Sequence, residues 1–209
     1  MNKKKIVIVL FLIVVICIVI FLGITLRKMN ILKEIGEKVS NYQTNDNYYQ
    51  RTQDSLGNIN EYFSKGNRKK SILTSKSNGT DIKVINCSNG ETTNTYIEVD
   101  GKKNARLDSK VDIQPNNIGL DFEGYSWKGF KKAMTHSIKS AEFNGKQCYY
   151  INGDWLKDTY IEKKTGLVLK MTNGIVNNEP LTYEINYEFG NVTDSDLLEP
   201  DASEYEIQR

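Results

Sequence analysis

An uncharged apolar stretch at the start of the chain limits most strongly where this protein can reside. From Ile6 to Leu26 the sequence has 21 residues without a charge, and only Gly23 and Thr25 are not strongly apolar. A helix rises about 1.5 Å per residue, so a helix of this length spans the ~30 Å hydrocarbon core of a bilayer. The stretch therefore predicts a transmembrane helix.

Two other N-terminal signals compete with an uncleaved anchor. A cleaved signal peptide has an apolar region of only about 7–15 residues and a cleavage site of small residues, which Gly23-Ile24-Thr25 matches poorly. A lipoprotein signal needs a small residue before the lipidated cysteine, whereas Ile16 precedes Cys17. We therefore favour an uncleaved membrane anchor over residues 1–28, in which Cys17 is a small apolar residue facing lipid.

The charges on the two sides of this boundary differ. Residues 1–28 hold five Lys or Arg and no acidic residue, so the remaining chain has 23 Lys or Arg against 26 Asp or Glu. This balance argues against nucleic-acid binding, which needs a basic patch on the folded part. Because long polar domains are translocated largely regardless of flanking charge, we expect residues 29–209 to form one extracytoplasmic domain.

Two segments of this domain follow a helical period. Apolar residues recur every three or four positions from Met29 to Tyr42, which predicts an amphipathic helix that can continue straight out of the membrane. The same period from Ser126 to Ala141 predicts a second helix flanked by lysines. We favour a helix packed on a sheet over a basic helix on the membrane surface.

Elsewhere the apolar period is two, which is typical of β-strands. Asn89-Gly90 and Asp100-Gly101 favour tight hairpin turns, because both central positions need φ > 0. We expect residues 108–125 to be irregular. Alternation is strictest from Leu181 to Phe189, which indicates a strand with one covered face. The other predicted strands are 48–54, 59–65, 68–74, 81–87, 92–99, 147–151, 159–162 and 167–171.

The order of these elements predicts the fold class. One helix, several strands, one helix and several more strands indicate an α+β domain in which helices cover one face of an antiparallel sheet. A sheet of eight or more strands twists and curls strongly. We therefore expect a strongly curved, open and unclosed β-barrel, preceded by the single N-terminal transmembrane helix.

Several phrases of the sequence resemble exported proteins of Gram-positive bacteria with the lipoprotein-carrier, or LolA-like, fold. The resemblance covers about residues 30–207 and includes germination lipoproteins of the GerS type, which are accessory partners of a cortex-processing amidase. This chain departs from that group because a membrane span stands where its members often have a lipidated cysteine. The phrases are Cys148-Tyr-Tyr-Ile151, Thr159-Tyr-Ile-Glu-Lys-Lys-Thr-Gly-Leu-Val-Leu-Lys170, Tyr187-Glu-Phe-Gly-Asn-Val-Thr-Asp194, Glu199-Pro-Asp and Ser203-Glu-Tyr205, with Tyr96-Ile-Glu-Val-Asp-Gly101 compatible.

The resemblance implies a binding protein without enzymatic activity or cofactor. The expected partner of the protein is another protein at the cell envelope. The most specific form of this expectation is a cell-wall amidase in sporulation or germination. The alternative is a carrier that binds a lipid or lipoprotein acyl chain on the concave face of the sheet. We favour an ordinary core filled by the helices over a ligand cavity there. The side chains expected to line this apolar face are Trp127, Phe130, Met134, Tyr183, Ile185 and Tyr187.

Few side chains offer chemistry, and no catalytic residue or metal ligand is predicted. His136 is the only histidine, and we expect it at the boundary of the buried face of the second helix rather than as a catalytic base. The acidic residues near the C-terminus lack the spacing of a calcium loop and are interpreted as a solvated turn. These residues are Asp194, Asp196, Glu199 and Asp201.

Two cysteines fall on predicted strands outside the cytoplasm. A disulfide between Cys87 and Cys148 would close a loop of about 60 residues and contribute about 4 kcal/mol. The alternative is two buried thiols that act as small apolar residues. Because the sequence does not show which strands are adjacent, both interpretations stay open.

Overall fold

The computed structural model describes residues 3–43, 45–114, 125–154 and 156–208. Its longest element is helix α1, Lys3–Gln43, which is continuous over 41 residues. The apolar part of α1 is exposed, and the helix is long and apolar enough to cross a membrane. The two helices expected on either side of residue 28 are therefore one helix.

The second half of α1 belongs to the core of the folded domain. Met29, Leu32 and Ile35 are 6%, 2% and 1% exposed, respectively. Burial begins even earlier, at Thr25, which is 2% exposed and donates its hydroxyl proton to the Phe21 carbonyl at 2.9 Å. The folded domain thus contacts α1 from the last residues of the apolar stretch onward, without an intervening linker.

The rest of the described chain is dominated by one unclosed sheet of twelve strands. Its strand order is β12-β6-β5-β4-β3-β2-β1-β11-β10-β9-β8-β7. All neighbours are antiparallel except β12 and β6. The strands are β1 Asn47–Asp54, β2 Ile59–Lys65, β3 Arg68–Ser77, β4 Thr80–Ser88, β5 Thr93–Val99, β6 Lys102–Ser109, β7 Ser137–Phe143, β8 Lys146–Asn152, β9 Lys157–Glu162, β10 Val168–Val176, β11 Glu179–Phe189 and β12 Glu206–Ile207, with helix α2 at Trp127–Thr135 and a 3₁₀ turn at Ala202–Glu204.

The sheet consists of two antiparallel meanders joined at one position. Strands β1 to β6 form the first meander and β7 to β11 form the second. The first strand of one pairs with the last strand of the other, with Thr52 opposite Ile185. Every strand predicted from the sequence is present, although β6 continues through residues 108 and 109, where an irregular segment was expected. The part of that segment from residue 115 to 124 lies outside the described residues.

Of the two dipeptides expected to make tight hairpin turns, one does, and a third dipeptide makes such a turn without having been predicted to. Asp100 and Gly101 have φ values of +47° and +80° and connect β5 to β6, as expected for a type I′ turn. Asn144 and Gly145, at +50° and +74°, make the same turn between β7 and β8. Asn89-Gly90 instead belongs to a longer connection, because β4 ends at Ser88 and β5 begins at Thr93.

The predicted helix from Ser126 to Ala141 is wrong in its second half. Helix α2 ends at Thr135, His136 has an extended backbone, and Ser137–Phe143 is strand β7. The reason is competition with a hairpin. The Asn144-Gly145 turn brings residues 137–143 into register with β8, and each strand residue then gains a cross-strand partner.

Two hydrophobic cores lie on opposite faces of the sheet. On the helix face, α1 and Ala133 of α2 pack against apolar residues of the second meander, including Ile161 and Ile185. Successive cross-strand pairs connect Ile185 with Val84, so these two side chains lie on the same face of the sheet. Neighbouring residues of a strand point to opposite faces, and Ile85 therefore points to the opposite, outer face. Ile85 is the first residue of the second core, which also includes Cys87, Tyr96, Ala105 and Tyr205.

The C-terminal segment covers this second core, a contact that the sequence analysis did not predict. The Tyr205 ring lies 5.0 Å from the Tyr96 ring, and β12 then pairs in parallel with β6. The helices cover one face, as expected for the fold class, while residues 194–207 cover part of the other.

We expect Ile35→Ala to destabilise the domain by about 2–5 kcal/mol, because it leaves a cavity between α1 and the sheet. Denaturant unfolding of the full chain in detergent measures this change. Ile16→Ala is the matched control, since Ile16 is 56% exposed in the apolar stretch. Equal stability of the two variants would mean that α1 is not part of the core.

Candidate functional site

The side chains expected to line one apolar face separate into two groups. Ile185 is buried, and Phe130, Tyr183 and Tyr187 pack around it in the helix-face core. Trp127 and Met134 are instead 69% and 47% exposed, so their predicted place in the lining is wrong. The cause is the contact between the two helices. Helix α2 turns its buried small residues, Gly129 and Ala133, toward the protein, and this orientation points Trp127 and Met134 into solvent.

The apolar part of the helix face is filled by α1. Met29, Leu32 and Ile35 occupy the space above β8 to β11 where an acyl chain would have to bind. Above β1 and β2 the same face is mixed, because Gln50, Thr52 and Ser64 are buried there beside the Tyr62 ring, which is 3% exposed. The part of the helix face above β8 to β11 is thus occupied by side chains of α1 and leaves no open apolar cleft there.

The second meander presents a group of aromatic rings on its outer face. This aromatic patch comprises Phe143, Tyr150 and Tyr160 on strands β7, β8 and β9. Tyr150 and Tyr160 are direct cross-strand partners with ring centroids 5.1 Å apart, and Phe143 also lies 5.1 Å from Tyr160. All three rings are partly exposed. Rings held in this way offer rigid apolar area at little cost in conformational entropy.

Charged groups surround and orient the aromatic patch. The Lys170 ammonium lies 5.5 Å from the centre of the Phe143 ring and 3.1 Å from the Glu184 carboxylate. The Tyr150 hydroxyl donates to Asp158. This hydrogen bond, together with burial, raises the pKa of Tyr150 to about 12, so the hydroxyl keeps its proton at neutral pH. The patch is thus an apolar centre with a charged rim, the usual anatomy of a protein interface.

The aromatic patch extends to a strand at the edge of the described sheet. Within the described ranges, strand β7 pairs with β8 and with no other strand. Its outward backbone groups can therefore accept another strand. Lys139 and Glu142 are exposed on this strand and limit nonspecific pairing of the edge.

His136 lies in the interior and does not face any of these surfaces. It is 2% exposed, so the expected boundary position is wrong. Its backbone N–H and its Nδ1 both lie within hydrogen-bond distance of the Lys132 carbonyl, at 3.1 and 2.7 Å. The ring occupies the space beside Gly153, where an added Cβ would lie 2.4 Å from Cδ2. His136 therefore caps the end of α2 from inside the fold.

Of the two interpretations left open for Cys87 and Cys148, the structure has the two buried thiols and not the disulfide. Cys87 is on β4 and Cys148 on β8, and six strands lie between them in the sheet. Both thiols are free and buried. Burial raises the pKa of Cys87 to about 11 and raises that of Cys148 as well, so both act as small apolar residues.

The four acidic residues near the C-terminus do not converge on one point. Asp194 pairs with Lys65 at 3.1 Å, and Glu199 accepts a hydrogen bond from the Tyr96 hydroxyl at 2.9 Å. Asp196 and Asp201 accept local backbone N–H bonds at 2.8 and 2.9 Å. These residues attach the C-terminal segment to the sheet, and within the described ranges no group of three or more His, Cys, Asp or Glu could hold a metal ion.

Comparison with known proteins adds no relative to this picture. A scan against models of protein families finds no matching family, and a search of curated proteins finds no matching sequence.

We expect the stability of the domain to fall as the pH decreases below about 6.5. Burial lowers the pKa of His136 in the fold, so the unfolded chain binds the proton first and is favoured by acid. The groups facing the ring are Lys28 of α1, Lys132 of α2 and Asp154 beyond β8.

His136→Asn keeps a donor near the Lys132 carbonyl but does not titrate. Because the chain has one histidine, the free energy of unfolding of this variant should change less between pH 7 and 5.5 than that of the wild type. Denaturant unfolding at several pH values measures the difference. Identical pH profiles would contradict a buried neutral His136.

Proposed function

We propose that this chain is a non-enzymatic, membrane-anchored binding protein whose extracytoplasmic domain acts through a protein partner at the cell envelope. The aromatic patch beside the free edge of β7 is the single observation that carries the proposal. It combines partly exposed rings, a charged rim and backbone groups of β7 that no described strand pairs with. Proteins use these three features to recognise other proteins.

The arrangement of the two faces supports a protein partner over an acyl-chain ligand. A carrier needs an apolar cleft that the ligand can enter. Here Leu32 and Ile35 fill the part of the helix face above β8 to β11, and above β1 and β2 buried polar groups such as Gln50 lie beside Tyr62. The outer face of the second meander keeps its aromatic rings accessible.

The anchor supports a location at the membrane. α1 is long and apolar enough to cross a bilayer, and the polar domain follows it directly. We propose that the N-terminus is cytoplasmic and that the domain is outside, because long polar domains are translocated largely regardless of flanking charge.

The resemblance to the LolA-like fold sharpens the choice of partner. Two of its phrases contain the central rings of the aromatic patch, since Tyr150 lies within Cys148–Ile151 and Tyr160 within Thr159–Lys170. Because germination lipoproteins of the GerS type assist a cortex-processing amidase, we propose a cell-wall amidase as the partner, in sporulation or germination.

Affinity purification of the full chain from detergent-solubilised membranes of sporulating cells tests the partner. We expect a cell-wall amidase to co-purify with the wild type and to decrease at least tenfold with Tyr150→Lys. This substitution places a charge in the aromatic patch, where the new side chain can still pair with Asp158. Tyr125→Lys is the matched control, because Tyr125 is 61% exposed and lies outside the patch.

Two results would contradict this proposal. One is the recovery of no wall enzyme with any of the three proteins. The other is equal recovery with Tyr150→Lys and with the wild type. Circular dichroism of each purified variant shows whether the sheet is intact.

A further inference from the structure

We propose that the domain rests on the bilayer that holds its anchor, and that the β10–β11 hairpin and the β1–β2 turn touch the lipid surface. Ile175 and Leu56 are the contact residues. This inference goes beyond the proposed function. It needs α1 to cross the bilayer but does not need a protein partner.

Contacts at the far end of α1 set the direction of the strands. The Tyr42 ring lies 4.9 Å from the Phe189 ring, so the end of β11 is level with the end of the helix. From Phe189 back to Tyr183, β11 covers about 20 Å, which corresponds to about 13 residues of helix. Counting this number of helix residues back from Tyr42 reaches Met29, and Met29 belongs to the same hydrophobic core as Tyr183.

Contacts near the membrane confirm this alignment. The Lys28 ammonium donates to the His136 carbonyl at 2.7 Å, and Thr25 is 2% exposed within the apolar stretch. The domain is therefore packed against α1 down to the level where the helix leaves the hydrocarbon core. The helix is continuous over Lys3–Gln43, so the apolar stretch and the domain share one helix axis.

The β10–β11 hairpin projects further toward the membrane than this contact level. Its turn is formed by Asn177 and Asn178, with φ values of +52° and +66°. The turn lies about 17 Å beyond Tyr183 along the strand, whereas only about 4 Å of helix separates Met29 from Leu26. Even a strand inclined by about 45° to the helix axis projects about 12 Å along it, so the tip reaches the bilayer surface.

The side chains at this end have the chemistry of an interfacial contact. Ile175 is 71% exposed near the hairpin tip. Leu56 is 56% exposed in the β1–β2 turn, and the neighbouring Ser55 N–H donates to the Thr182 carbonyl at 2.9 Å. Both apolar residues therefore project from the same end of the sheet.

The polar neighbours indicate how the contact is made. Asn177, Asn178 and Glu179 surround the hairpin tip, and Asp54 precedes Leu56. This end lacks a cluster of lysines among its described turn residues, so attraction to anionic headgroups does not explain it. We infer a shallow apolar contact with the bilayer that depends little on lipid charge.

Fluorescence quenching of the full chain in nanodiscs tests this contact. Ile175→Cys and Leu56→Cys, each in a Cys17→Ser background, carry an environment-sensitive fluorophore, while the two remaining cysteines are buried. Leu198→Cys is the matched control. Leu198 is 62% exposed, and its carbonyl accepts from Lys70 on the part of β3 that is distant from the membrane.

In phosphatidylcholine nanodiscs containing a lipid with a nitroxide near its headgroup, we expect at least threefold stronger quenching at positions 175 and 56 than at 198. Addition of phosphatidylglycerol should change this ratio by less than twofold. Equal quenching at 175 and 198 would overturn the proposal. It would also be overturned if the emission at 175 changed with the number of chains per disc, because a second copy would then be the contact. A chain that does not co-elute with the disc refutes the anchor itself.

Discussion

One continuous helix serves two environments, and the rest of the structure depends on it. The apolar first part of α1 suits a bilayer, while Leu32 and Ile35 of the same helix are among the most buried residues of the domain. Removal of α1 would expose the apolar residues of β8 to β11 to water. The apolar stretch that is compatible with a membrane anchor is therefore continuous with the core of the fold, and the orientation that we propose for the sheet on a membrane follows from the direction of the helix.

The covering of the two faces determines which surface can bind. α1 fills the apolar part of the helix face, and the C-terminal segment covers the outer face of the first meander through contacts such as Tyr96–Tyr205 and Lys103–Glu204. The outer face of the second meander keeps partly exposed rings. The binding surface that we propose is therefore a part of the sheet that the described segments of the chain leave accessible, rather than a pocket.

Local patterns in the sequence predict much of this fold, because the period of apolar residues records which side of an element is covered. The alternation from Leu181 to Phe189 is an example. Features that depend on distant parts of the chain could not be derived in this way. The pairing of β1 with β11 places Cys87 and Cys148 on distant strands of the sheet. Helix α2 buries Gly129 and Ala133 against the protein, and this orientation turns Trp127 outward. The aromatic patch had a local signal in the aromatic residues of its three strands, but their common face became clear only from the strand register.

Hydrogen–deuterium exchange of the full chain in nanodiscs tests most directly whether anchor and core are one rigid helix. The decisive backbone amides are those from Thr25 to Leu32, where the apolar stretch meets the folded domain. We expect them to exchange as slowly as the amides of the buried strands, and much more slowly than the exposed amides of the β10–β11 turn. Fast exchange between residues 26 and 30 would show a flexible joint and would contradict a domain held in a fixed orientation on the membrane.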